Sequence, residues 1–213
     1  LRAIVCNSGI ANTCNANGKQ VAEETCALVG EALGIPAESV AVASTGVIGQ
    51  PLELAPIKAG IPVLVASLCC DSTSAAEAIM TTDTVMKQVA VSFEVGGKRC
   101  VVGGIAKGSG MIHPDMATML VFLTTDAAIS SEMLQKALSG DIGGTFNMLS
   151  IDGDTSTNDM VLVLANGQAG NEEIKQEGDA FDAFMCALNT VNIRLCKMLA
   201  GDGEGATKLL ECE

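Results

Sequence analysis

The chain has one histidine, His113, so a Ser-His-Asp or Cys-His centre would have to use that residue. His113 precedes Pro114 in a turn-like stretch, which suits a surface position better than a general base. Nucleophilic catalysis without histidine is possible when the nucleophile's own α-amino group acts as the base, since that amine titrates near about 8. This needs a Ser, Thr or Cys at a chain start, and residue 1 is Leu. The start would therefore have to be made by cutting. The stretch Lys107-Gly-Ser-Gly-Met-Ile-His-Pro-Asp-Met-Ala-Thr118-Met-Leu offers a place, with a glycine loop, a proline turn, then Ala117-Thr118 entering an apolar run. Thr118 Oγ attacking the Ala117 carbonyl would give an ester that water opens, and the small Ala117 leaves room for the approach. Taken alone, an Ala-Thr pair more often merely begins a strand.

The elements that must position these residues alternate between strand and helix. Arg2 to Cys6 and Ser39 to Ser44 read as short strands around a helix from Lys19 to Leu33, whose Val21, Thr25, Leu28, Val29 and Ala32 share one face. Gly34 and Pro36 close it. A second helix is expected within Ile57 to Cys70, with a bend near Pro62, and a third over Ser72 to Met80. Lys87 to Val95, Gly96-Gly97 and Lys98 to Ala106 form a hairpin, which puts Lys107 at a strand end. Met119 to Thr124 and Met160 to Ala165 read as buried strands. A helix capped by Ser130 or Ser131 runs to about Leu138, and another spans Asp179 to Leu199. The expected fold is an α+β layered sandwich of mixed sheets and helices.

Composition sets the outer limits. In 213 residues, 48% are hydrophobic and only 2% aromatic, so a core must come from small aliphatic side chains interlocking. A formal net charge of -13 opposes nucleic acid and anionic membranes as partners. The longest strongly apolar run, Ile61 to Cys70, falls short of the roughly 20 residues of a spanning helix. Nine cysteines, odd in number and without a Cys-x-x-Cys pair, suggest a reducing cytoplasmic setting. Of these, Cys6, Cys26, Cys100, Cys186 and Cys196 are expected to act as small buried hydrophobes. No metal and no cofactor is expected. Gly103 to Ser109 has glycine after its lysine where a phosphate loop needs Ser or Thr. Asp152 to Val163 has Thr157 and Val163 where a calcium loop needs Gly and Glu, so it reads as a side-chain-bonded turn before a strand.

The segments Asn7-Ser-Gly, Ala43-Ser-Thr-Gly-Val-Ile-Gly49, Ala78-Ile-Met-Thr-Thr-Asp-Thr84, Lys107-Gly-Ser-Gly-Met-Ile112 with Met116-Ala-Thr-Met-Leu120, Asp152-Gly-Asp-Thr-Ser-Thr-Asn-Asp159 and Gly201-Asp-Gly-Glu-Gly-Ala-Thr-Lys208 occur in this order. Together they resemble the ornithine acetyltransferase (glutamate N-acetyltransferase) family of arginine biosynthesis over the whole chain. The resemblance implies a self-processing fold of the N-terminal-nucleophile type, cut between Ala117 and Thr118. Residues 1–117 would be the α piece and 118–213 the β piece, assembled as α2β2. It also implies that acetyl moves from N-acetylornithine to Thr118 and then to glutamate. Thr45 and Gly46 match the oxyanion-hole pair, and Thr81, Lys107, Thr118 and Glu204 match substrate-binding positions. Bifunctional members also take acetyl-CoA, and no motif here decides that point. The family commonly has Asn at the positions of Ile10 and Asp115, and its members extend beyond both ends, so the chain is expected to be a central fragment. A self-processing amidase or aminopeptidase with water as acceptor, and an uncleaved inert fragment, are the alternatives.

Overall fold

The structure, a computed structural model, describes residues 1–113 and 119–212. The expectations for Pro114, Asp115, Ala117 and Thr118 lie outside the described residues. The chain forms two compact units, residues 1–81 and 82–213, at a point where composition gives no sign of a boundary.

The first unit begins as a β-α-β crossover. Strand β1 (Ala3–Asn7) pairs in parallel with β2 (Val40–Ser44), from Ala3 opposite Val40 to Asn7 opposite Ser44. A parallel pair needs a long connection, supplied here by helix α1 (Gly18–Leu33). The apolar stripe of α1 is buried through Val21, Thr25 and Val29. Its end is set by Gly34, in the left-handed conformation at φ 64°, with its N–H returning to the Glu31 and Gly30 carbonyls. Helix α2 (Leu54–Ala66) starts three residues before the expected Ile57, because Pro56 is tolerated in a first turn whose N–H groups have no helical partner. It runs through Pro62 and stops short of Cys70. Val29, Val40 and Ile61 form this unit's buried core, and α3 (Thr73–Ala78) follows.

The second unit is one four-stranded sheet in the order β3-β4-β5-β6: β3 (Lys87–Val95), β4 (Lys98–Lys107), β5 (Leu120–Thr125) and β6 (Met160–Ala165). The Gly96-Gly97 turn has φ of 57° and 74°, the sign that a tight two-residue hairpin requires. The β4 and β5 strands are antiparallel, whereas β5 and β6 are parallel and joined through α4 (Ser131–Ile142). Ser130 is the cap, its side chain accepting the Met133 N–H at 3.3 Å. Helix α5 (Asp179–Gly201) packs on β3 and β4 with Phe184, Leu188, Val191, Leu195 and Leu199 fully buried. The Phe184 ring meets Phe93 edge to face at 5.9 Å. Each large aliphatic buried this way contributes about 1.5–3 kcal/mol. The mixed α+β class is therefore as expected.

All nine cysteines are free thiols. Cys100 and Cys196 are buried, Cys6 and Cys26 half-buried, but Cys186 is exposed on α5, which corrects its expected burial. No helix among the described residues is long and apolar enough to cross a membrane, and none of their His, Cys, Asp and Glu side chains form a cluster that could hold a metal ion.

Candidate active site

In the first unit the carboxyl ends of β1 and β2 carry two interlocked loops. The Thr45 amide donates to the Asn7 carbonyl at 2.9 Å, and the Val47 amide to the Gly9 carbonyl at 3.2 Å. Asn7 stiffens its own loop, since its side-chain amide donates to the Ile10 carbonyl at 2.7 Å and its side-chain oxygen accepts from the Gly9 N–H at 3.0 Å. Asn7-Ser-Gly therefore acts as the brace of the Thr45-Gly46 turn. Gly46 has φ 120°, and a Cβ there would lie 2.3 Å from the Gly9 carbonyl oxygen, so glycine alone fits. With the Thr45 N–H already bonded, the donors this turn has left to offer are the Thr45 hydroxyl and the Gly46 N–H. A cavity of about 310 Å³ lies against Asn7 and Ser44 in the same unit. No charged side chain lines it, so it does not suit a carboxylate or ammonium group.

In the second unit, strand register gathers the polar groups at one end of the sheet. Lys87 opens β3 opposite Ala106, Lys107 closes β4 opposite Leu120, and Leu120 in turn faces Met160 at the start of β6. Lys107 is 2% exposed and Lys87 is fully buried, an unusual state for lysine unless acids accompany it. Lys87 Nζ donates to Asp83 at 2.6 Å, to Asp202 at 2.5 Å and to the Val85 carbonyl at 3.1 Å. Asp83 also accepts the Gly108 N–H at 2.8 Å, so this ion cluster grips the residue directly after Lys107. Asp202, just past α5, accepts the Thr84 hydroxyl and the Thr84 and Val85 amides. Burial alone would raise the Asp202 pKa. The Lys87 ammonium, then the Thr84 hydroxyl and the two amides, overcome that and hold it at about 2.

Glu204 is brought onto the loop that follows Lys107. Its amide donates to the Ser109 carbonyl at 2.6 Å, and its carboxylate lies so close over Gly110 that a Cβ there would sit 2.9 Å from it. The Ser109 hydroxyl meets that of Thr82 at 2.6 Å, while Thr81 is exposed as the last residue of the first unit. His113 is exposed.

Asp159, immediately before β6, accepts the Met119 amide at 2.9 Å. Its other oxygen is buried without a hydrogen-bond partner among the described residues. Desolvation raises the Asp159 pKa to about 7, against the opposing pull of the Met119 amide, the Lys107 ammonium and the Ser156 hydroxyl. Sequence reasoning quoted Asp83, Asp159 and Asp202 within motifs but gave none of them a role, and it took Lys87 only as the start of a strand; the side-chain-bonded turn it expected at Asp152 is present, with Asp152 accepting the Asp154 amide and Ser156 the Asn158 amide. The i, i+4 spacing of Asp83 and Lys87 was the one local signal, and it resembles any surface ion pair.

Chemically, the second unit presents a buried cation at Lys107, an acid at Glu204 and a carboxyl poised near neutrality at Asp159. The first unit presents a donor pair suited to an oxyanion.

The sequence profile of the ArgJ family matches residues 1–213. Among curated proteins, the arginine biosynthesis bifunctional protein ArgJ of Symbiobacterium thermophilum is 54% identical over 213 residues, covering 99% of this chain and 53% of the relative. The protein of the same name from Thermotoga neapolitana is 49% identical over 218 residues, covering 100% of this chain and 54% of the relative. The chain spans about half the length of these relatives. A crystal structure of the Bacillus halodurans ArgJ protein aligns with 55% of the chain and 61% of its own, at 42% identity and a TM-score of 0.48.

Proposed function

The chain belongs to the ArgJ family, and on that footing we propose that it is the acetyl-transferring centre of an arginine-biosynthesis enzyme that carries acetyl from N2-acetylornithine to glutamate on Thr118. Thr118 Oγ first attacks the Ala117 carbonyl; the C–N bond to Thr118 breaks as its nitrogen takes the hydroxyl proton. Water then hydrolyses the ester, giving a carboxylate at Ala117 and restoring the Thr118 hydroxyl beside the amine freed in the first step. In transfer, that amine takes the Thr118 hydroxyl proton as Oγ attacks the acetyl carbonyl of acetylornithine, and returns it to the departing ornithine nitrogen. Glutamate's amine then attacks the acetyl ester, releasing N-acetylglutamate and restoring Thr118.

In this reading the Thr45 hydroxyl and Gly46 N–H stabilise the tetrahedral oxyanions, where loss of one donor typically costs about 10²-fold in rate. Lys107 takes the substrate α-carboxylate, Glu204 the substrate amine, and Thr81 a further polar contact. Acetyl-CoA as a second donor, an α2β2 assembly and a cytoplasmic location belong to the same proposal.

The observation that carries the reading is the strand register Lys107 opposite Leu120. It sets Lys107 beside the strand whose first residues follow Thr118, which supports the reading of pieces 1–117 and 118–213 staying together after the cut. The β4 and β5 strands are paired from Lys107–Leu120 to Val102–Thr125.

The test is intact mass under denaturing conditions for the wild type and Thr118→Ala, followed by ornithine release from acetylornithine with and without glutamate. Two pieces joining at 117/118 are expected in the wild type, one piece in the variant, and glutamate-dependent release. A wild type that stays whole removes the mechanism. Release indifferent to glutamate makes water the acceptor and the protein an amidase.

A further inference from the structure

The segment from Asp152 to Asp159 is tied at its two ends to the chain on either side of residues 114–118. At one end, Asp152 accepts the Met111 and Ile112 amides, the latter at 2.9 Å, and the Ile151 amide donates back to the Ile112 carbonyl at 2.8 Å. At the other end, Asp159 accepts the Met119 amide at 2.9 Å, and the Met160 amide donates to the Met119 carbonyl at 3.1 Å. Two carboxylates thus bind three backbone amides, one set just before the 114–118 stretch and one just after. The Met160 bond continues the parallel β5–β6 pairing, in which Leu120 is opposite Met160, and the two carboxylates add side-chain bonds to it on either side.

We propose that Asp152 and Asp159 are positioning residues for the self-cleavage, one fixing the chain that enters the scissile stretch and the other the chain that leaves it, an inference that rests on the self-cleaving reading above. An ionised carboxylate holds an amide about twice as strongly as a neutral acceptor does. The two ends differ in how that strength depends on pH. Asp152 is held below the ordinary carboxylate range because, although burial opposes it, the Met111, Ile112 and Asp154 amides favour its charged form. It stays ionised throughout the working range. Asp159 titrates near 7, and among the described residues Lys107, at the end of β4, is the charged group that acts on it. The clamp therefore tightens at its Met119 end as pH rises through neutrality.

Cleavage of freshly synthesised protein, followed on denaturing gels from pH 5 to 9 in a His113→Gln background that removes the lone imidazole, tests this. The wild-type rate is expected to rise severalfold through a step near pH 7. Asp159→Asn keeps an oxygen for the Met119 amide and is expected to cleave with no step. Asp152→Asn keeps one acceptor oxygen for three amides and is expected to slow cleavage fivefold or more at every pH, with the step intact. Ser156→Ala removes a hydroxyl that favours the charged Asp159 and moves the step to higher pH, which keeps the test open should Asp159→Asn fold poorly. Wild-type pH profiles in Asp159→Asn and Ser156→Ala, with a wild-type rate in Asp152→Asn, overturn the inference and leave the proposed function standing. A wild type that never cleaves instead removes the proposed function itself.

Discussion

Replacing Lys87 by Met removes one positive charge from a site where it meets two carboxylates away from water. The Lys87 and Asp83 side chains are fully buried and Asp202 is 6% exposed. The methionine fills most of the volume, so packing changes little and the electrostatic loss dominates. Breaking a buried pair by removing one partner costs about 3–5 kcal/mol, because the remaining charge is left uncompensated. At about 3–5 °C per kcal/mol for a unit of this size, the melting temperature should fall by about 10–25 °C. The loss depends on pH in a stated direction. Asp202 titrates at about 2 when folded, below the unfolded value of about 3.9, so its stabilising contribution is complete above pH 4 and disappears as pH falls through 2. Without Lys87 its carboxyl protonates more readily, so the gap between variant and wild type should narrow below pH 4. Thermal unfolding by circular dichroism at pH 3, 5 and 7 measures this. Lys19→Met, which opens a 3.7 Å pair of exposed side chains, serves as the control and should show no measurable change. A Lys87→Met protein that melts within 3 °C of wild type at pH 7, or a gap that widens in acid, refutes the reasoning.

Gly46→Ala puts a Cβ 2.3 Å from a backbone oxygen at φ 120°, and should cost about 2–4 kcal/mol in urea unfolding and more than tenfold in acetyl transfer. Gly110→Ala meets only the end of the Glu204 side chain, which can swing away. Stability should hold, while the KM for acetylornithine rises more than kcat falls; steady-state kinetics decides it. Asp159 has a folded pKa of about 7, above its unfolded value, so the folded form retains a proton that the unfolded form releases between about pH 4 and 7. Wild-type stability should decline across that range, and Asp159→Asn should match wild type at pH 4 and melt higher at pH 8. A lower melting temperature for the variant at pH 8 contradicts the assignment.

The elements of the second unit were legible because their apolar residues follow the period of the structure they form. Met160–Ala165 is a strand with the expected bounds, and the β3–β4 hairpin differs from expectation by one residue. Both rest on local information, an apolar run in one case and a diglycine turn in the other. The helix ends were less legible: α4 runs on to Ile142 because its later turns pack under α5 through Asp141, which accepts the Asn189 and Asn192 side-chain amides. That partner lies far along the chain and leaves no local trace. The same reason hid the site's supports. Lys87 and Asp202 are separated by more than a hundred residues and meet only once α5 lies across β3. Thr45 and Gly46 were singled out by the motif they sit in, but that the Thr45 amide bonds the Asn7 carbonyl required the β1–β2 register.

The pairing of β4 with β5 has a bearing on molecularity. Before a cut, the two strands belong to one chain, which keeps them at a high effective concentration. After it, the same strands belong to separate molecules, and losing their contacts means losing each other by diffusion. Folding of one uncut chain is unimolecular, whereas refolding of two pieces would be a second-order event whose midpoint moves with protein concentration. The processed enzyme would then owe its persistence to a slow unfolding rate, and dilution after denaturation would be the step from which it does not return.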